Sequence, residues 1–398
     1  MKTVCTQSER VPRLPYLQIV QKKNGNLSLA SPTPTIAVDA SEGFLLPGLL
    51  HTEEDFDRIK GFIETDAEPF VLDWVKLKSR ANPNYVSRPL LTIYRGINDE
   101  APQNYARLFN GMTTAYVLAV RWKLGGGDEY AAAAARILDA WSSTLVEIRG
   151  SEDRVLTAGL QGYQAANAAE ILREYSGWTS TATVNMLVNI FYKMNHDFIT
   201  EHWGAPIDFF WANWDLANIA SMMAIGVVAD DRMIWDEAID YFKNGKGMGA
   251  IENAIWALHK ENCTGKVLGQ NQEAGRDQGH AILDFALLGV IRQHAYSQGM
   301  DLWGYLDNRI LAGAEYMAKY NLTWFTTPVG RGQARPIGEL LYAHYASVKG
   351  LDASWIGAYR DFVVEKGNGS EGGVGFYGTN SNGFDQLGFG TLLFRREA

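Results

Sequence analysis

Apolar residues recur at three- and four-residue spacing along most of the chain, beginning where Phe56, Ile59 and Ile63 follow a Thr52 that precedes acidic residues. That arrangement predicts a helix with Thr52 as its N-cap. The same periodicity predicts further helices over 70–80, 103–124, 128–146, 158–176, 181–201, 213–228, 231–244, 250–260, 276–298, 304–319, 335–348 and 353–365. Gly125 to Asp128 reads as a helix stop followed by a new N-cap, and Asp230-Asp231 as the end of one helix and the start of the next.

Two kinds of helix are mixed. The segment Ile219 to Val228 is apolar on every face, whereas Tyr130 to Trp141 carries one apolar stripe. Inner helices covered by outer ones give that mixture, with inner helix ends and their loops lining a central groove. The expected fold is all-α, in two concentric layers. Residues 1–50, with their Pro, Gly and Ser, are expected to form an extended segment packed on a helical domain at 51–398. A Gly-rich tail from Gly367 to Gly383 leads to the apolar run Phe384 to Phe394, which is expected to dock on the body.

Composition narrows the function classes. Hydrophobic residues make up 46% and charged residues 20%, as in an ordinary globular protein. The net charge of -9 offers no footprint for nucleic acid or an anionic membrane, so a polyanionic substrate requires a locally basic cleft. The 12 Trp and 18 Tyr suit stacking on sugar rings, although core packing also uses such residues. Cys5 and Cys263 make neither a disulfide framework nor a zinc site. Neither a signal peptide nor a membrane span is visible, so the expectation is a soluble protein or a mature form in the periplasm or outside the cell, and monomeric. Sequons stand at Asn26, Asn262, Asn321 and Asn368. P-loop, dinucleotide, His-Glu-x-x-His and Gly-x-Ser-x-Gly signatures are missing, and neither a cofactor nor a metal is expected.

Chemistry concentrates in three blocks. Gln272, Glu273, Arg276, Asp277 and His280 crowd into nine residues that lead into an apolar helix. With a helix start near Gly275, Arg276 and His280 share one face. Arg276 then suits a sugar carboxylate, and Asp277 or Glu273 orients its neighbours. A buried Arg–carboxylate network tying helices together accounts for the same residues. In Trp211-Ala212-Asn213-Trp214-Asp215, Asn213 is either a donor to a carboxylate or a helix N-cap, and Trp211 and Trp214 are candidates for stacking on a pyranose. In the block Arg335 to Tyr345, Glu339 and Tyr342 share a helical face behind Arg335. Tyr342 is then either a proton-transfer group beside cations or an edge of the core.

These blocks, with Leu156 to Glu170 and Gly388-Phe389-Gly390-Thr391-Leu392, resemble the alginate-lyase superfamily, and within it polysaccharide lyase family 38. The resemblance implies an (α/α) toroid that cleaves alginate, especially polymannuronate, or β-1,4-glucuronan by β-elimination. It also implies roles: Asn213 as a neutraliser, His280 as neutraliser or base, Arg276 or Arg335 as carboxylate clamp, and Tyr342 as the catalytic tyrosine, with Tyr163, Tyr320 and Tyr345 as alternatives. Gln161, Gln272, Glu273 and Glu339 join the two tryptophans as substrate-binding candidates. The competing readings are a glycoside hydrolase using Asp215 with Glu273 or Asp277, and a non-catalytic carbohydrate-binding protein.

Overall fold

The computed structural model describes residues 43–262, 264–323 and 332–396. Most of the lead-in, with Cys5 and Asn26, and also Cys263, lie outside the described residues.

Helix α1 (Glu53–Glu64) opens with the expected cap: Thr52 and Asp55 form a reciprocal capping box. Helix α2 (Phe70–Arg80) follows, then strand β1 (Thr92–Arg95), α3 (Ala106–Lys123), α4 (Asp128–Ser142) and strand β2 (Glu147–Gly150). The next helices are α5 (Arg154–Ile171), α6 (Thr181–Met186), α7 (Lys193–Glu201), α8 (Ala212–Ala229) and α9 (Arg232–Asn244). After the short α10 (Ile251–Ala254) come strands β3 (Ile255–Lys260) and β4 (Val267–Asn271). Then follow α11 (Gln278–Ser297), α12 (Tyr305–Leu322), α13 (Gly338–Tyr342), α14 (Ser354–Lys366) and α15 (Gly390–Leu393). π-helical turns join α6 to α7 and extend α13 to Val348.

The layers are those expected. Helix α5 packs on α3 and α8, α8 packs on α11, and Leu340 and Leu341 of α13 face Gly289 of α11. These inner helices are covered by α4 on α3, α6 on α8, α7 on α5 and α8, α9 on α8, α12 on α11 and α14 on α13. Burial follows position: Val155 to Ile171 of α5 are all buried, and so are Leu216 to Val228 of α8. In contrast, α9 buries only Ile234, Trp235, Ala238, Ile239 and Phe242, one amphipathic stripe. The α5–α8 contact is close enough that a Cβ on Gly159 would lie 2.7 Å from the Ala217 backbone. The tail docks as expected, with Phe389, Leu392 and Leu393 fully buried. Buried Asp73 of α2 fastens it by accepting from the Gly372 and Leu392 amides and the Ser370 hydroxyl.

One expectation fails locally, and one feature is new. The helix expected over 250–260 lasts one turn, and Ile255 to Lys260 instead form an antiparallel hairpin with β4. The parallel pair β1–β2 was not anticipated, because its partners stand some fifty residues apart and each strand has four residues.

A candidate active site at the inner helix starts

The three blocks meet at the N-terminal ends of α8, α11 and α13. Asp277 is the N-cap of α11: its Oδ1 accepts the His280 amide at 2.9 Å, and its Oδ2 lies 2.6 Å from His280 Nδ1. With the carboxylate as acceptor, the imidazole proton sits on Nδ1 and the Nε2 lone pair is left open. The His280 side chain is 37% exposed. Burial pushes the Asp277 carboxyl up, but the His280 amide and imidazole, together with Arg276, outweigh burial and hold it below the usual range. Because the helix starts at Gln278, Arg276 lies in the preceding turn and not on a helical face shared with His280. It pairs with buried Glu273 at 3.2 Å and lies 4.8 Å over the Trp211 ring, with 30% of its side chain exposed.

Residues 272 and 273 serve the start of α8. The first amides of a helix have no partner within it. Gln272 Oε1 accepts from the Ala212 amide at 3.0 Å, and the Glu273 carboxylate accepts from the Asn213 amide. Both therefore position the start of α8. Trp211 is the N-cap residue, so Asn213 is not the cap. Its side chain is 1% exposed, and its Oδ1 has no hydrogen-bond partner among the described residues.

Arg335 packs over the first turn of α11: a Cβ on Gly279 would lie 3.4 Å from its Nη2 and 3.1 Å from Asp277 Oδ1. The guanidinium also lies 3.8 Å from Asp385 and donates to the Asn382 carbonyl. Asp385 belongs to the docked tail, whose main chain is held to α5 by the Tyr163 hydroxyl and by Gln164. Burial raises the Asp385 carboxyl, against the pull of Arg95, Arg335, Ser381 and His280. Arg95, at the end of β1, joins the same group with a buried Nη1 that has no hydrogen-bond partner among the described residues. Its strand is accommodated by Gly150 in a left-handed conformation, where a Cβ would strike the Arg95 carbonyl. Sequence reasoning missed both Arg95 and Asp385, since each acquires a role only through pairing distant in sequence. Gln161 lies one turn before Gln164 on α5, buried, with Oε1 unpartnered among the described residues.

Other candidates lie elsewhere. Tyr342 turns to the outer layer: Gly357 abuts its ring and Arg360 covers it at 4.0 Å. It lines a cavity of about 210 Å³ with Arg395 and Arg396, not the His280 site. Glu339 is buried under Arg395 at 2.6 Å and accepts from Thr391 at 2.8 Å, which ties α13 to the tail. Trp214 packs with Phe198 and Phe210, behind the helix start. The alternative tyrosines are also engaged: Tyr345 with Arg292, Tyr163 with the Asp385 carbonyl, and Tyr320 stacked on Tyr316. Asp215, the hydrolase candidate, is buried among His202 at 2.9 Å, the Tyr241 hydroxyl and the Gly249 amide. So enclosed, it cannot reach a sugar to act as acid or base.

A helical toroid that gathers Arg276, Arg335 and an Asp277-oriented His280 at its inner helix starts, with Arg95 of β1 alongside, fits a polysaccharide lyase. The sequence matches the alginate lyase family over residues 63–324, and the chain belongs to that family. A search of curated proteins finds no significant match. Among solved structures, a histidine-to-alanine variant of alginate lyase A1-III complexed with a tetrasaccharide aligns with a TM-score of 0.58 and 13% identity, covering 90% of this chain and 98% of that one. An alginate lyase from Bacteroides ovatus gives 0.56 at 11% identity, covering 80% and 96%. Alginate lyase A1-III from Sphingomonas species A1 gives 0.53 at 12%, covering 88% and 98%. At these identities the likeness is one of fold.

Proposed function

We propose that the protein cleaves a 1,4-linked polyuronate, polymannuronate or β-1,4-glucuronan, by β-elimination at His280. The observation that carries this reading is the Asp277–His280 pair at the start of α11, with the Arg335 guanidinium packed over the same first turn.

The proton on C5 of a uronate becomes removable only when the charge developing on the carboxylate is neutralised. Arg335 and Arg276 supply cations for that carboxylate, and the Asn213 side-chain Nδ2 supplies a donor. His280 Nε2 takes the C5 proton, and Asp277 stabilises the imidazolium that results. The C4–O4 bond breaks, the electrons of the C5–H bond form the C4=C5 double bond, and the imidazolium returns its proton to O4.

One group serving both transfers works where the C5 proton and O4 lie on the same side. Mannuronate and glucuronate have that arrangement, while guluronate, the C5 epimer of mannuronate, places them on opposite sides. The engagement of the candidate tyrosines elsewhere supports the one-group scheme. The test is ultraviolet-monitored degradation of polymannuronate, polyguluronate and glucuronan side by side. Absorbance should rise with polymannuronate or glucuronan and stay flat with polyguluronate. Saturated products, or preference for polyguluronate, would overturn the reading.

A further inference from the structure

Below the site lies a second buried acid that the elimination does not use. Asp284 sits on α11 one turn beyond His280 and is fully buried. Asn271 Nδ2 donates to its Oδ2 at 2.9 Å, while its Oδ1 has no hydrogen-bond partner among the described residues. Glu273, also fully buried, keeps its Oε1 without a hydrogen-bond partner among the described residues. Each carboxyl acts electrostatically on the same Arg276, and the charge of Glu273 acts directly on Asp284.

Two fully buried carboxyls that act on each other, with a single guanidinium paired to one of them, resist being ionised together. Their surroundings differ. Glu273 has Arg276, the Asn213 amide and the nearby His280, whereas Asp284 has one neutral amide donor. We infer that Glu273 and Asp284 hold one proton between them, carried by Asp284, and that Asp284 is a positioning residue that keeps a single anion under Arg276. Burial pushes both carboxyls up, Asp284 the further. With two anions the guanidinium would be drawn inward away from substrate. With none, both Arg276 and the start of α8 would lose their anchor.

This inference rests on the lyase reading only for its functional meaning, since its test reads the proton itself. An amide reproduces a neutral acid in shape. Asp284→Asn should therefore fold and melt at or above the wild-type temperature at pH 7. The infrared spectrum of wild type minus Asp284→Asn at pH 7 should show one protonated-carboxyl band. Glu273→Gln removes the anion instead, and should lower kcat/KM on the cleaved polymer roughly tenfold or more, with weaker substrate carboxylate binding seen in KM. Loss of the fold in Asp284→Asn, or no protonated-carboxyl band in the difference, would overturn the proposal. So would a Glu273→Gln variant with wild-type kcat/KM, which would put the proton on Glu273. A protein with the infrared band but no lyase activity would contradict the proposed function and leave the proton assignment standing.

Discussion

Asp277 does two jobs with its two oxygens: Oδ1 caps α11 and Oδ2 fixes the imidazole of His280. Replacement by Asn separates them, since Asn caps a helix as well as Asp does but brings no charge to stabilise an imidazolium. Asp277→Asn should leave the melting temperature nearly unchanged while kcat falls roughly a hundred- to ten-thousand-fold, measured by absorbance at substrate saturation. A fall in stability with retained kcat would reduce Asp277 to a cap. At this scale the sequence was readable where neighbours in the chain are neighbours in space. Glu273, Arg276, Asp277 and His280 fall within eight consecutive positions, and their crowding announced a site. Tyr342 was misplaced because helical spacing groups residues by face without saying which face turns inward; here the π-helical turn and Arg360 mark its outer side. Arg95 and Asp385 had no local signal at all.

Between elements, close approach sets what the helices tolerate. The inner pair α5 and α8 touches through Gly159, where a Cβ would meet Ala217 atoms at 2.7 Å and its carbonyl oxygen at 2.9 Å. Two of these atoms are backbone and the third is the Cβ fixed to it, so none can rotate away. Gly159→Ala should destabilise the protein by about 1–3 kcal/mol through overpacking, despite the better helix propensity of alanine. Denaturant unfolding measures this, and a stability gain would show that the pair can separate without cost. Most helices were legible because periodicity and capping residues agree, as with Thr52 for α1 and Asp231 for α9. The β3–β4 hairpin was not, since Ile255-Trp256-Ala257-Leu258 is a short apolar run that suits a helix or a strand equally. Pairing with β4, and the Arg309 guanidinium donating to the Ile255 carbonyl, decide for the strand.

Across the whole molecule, charged groups are buried where the chain closes on itself. Glu170, on the inner helix α5, accepts from the Gly48 and Leu49 amides and so holds the segment that enters α1. Burial pushes its carboxyl up to about 8, from 4.5, against the pull of those amides and of Arg173 and Lys123. A raised folded value means that stability present below about 4.5 is lost as pH rises towards 8. Glu170→Gln keeps an acceptor without the ionisation. Its melting temperature relative to wild type should therefore climb as pH goes from about 5 to about 8, and a constant difference would contradict the assignment. The layered architecture itself was readable from the contrast between all-round apolar helices and striped ones, now seen as α8 and α9. The closure by the tail was readable only as a docking segment, because its partners Asp73 and Glu339 lie far back in the chain.

The central claim is that His280 carries out an elimination on a polyuronate. The most direct measurement is the ultraviolet progress curve on polymannuronate for wild type and His280→Ala at matched, verified folding. Wild type should generate the unsaturated chromophore, and His280→Ala should lose roughly a hundredfold or more of that rate. An undiminished rate in His280→Ala would contradict the account.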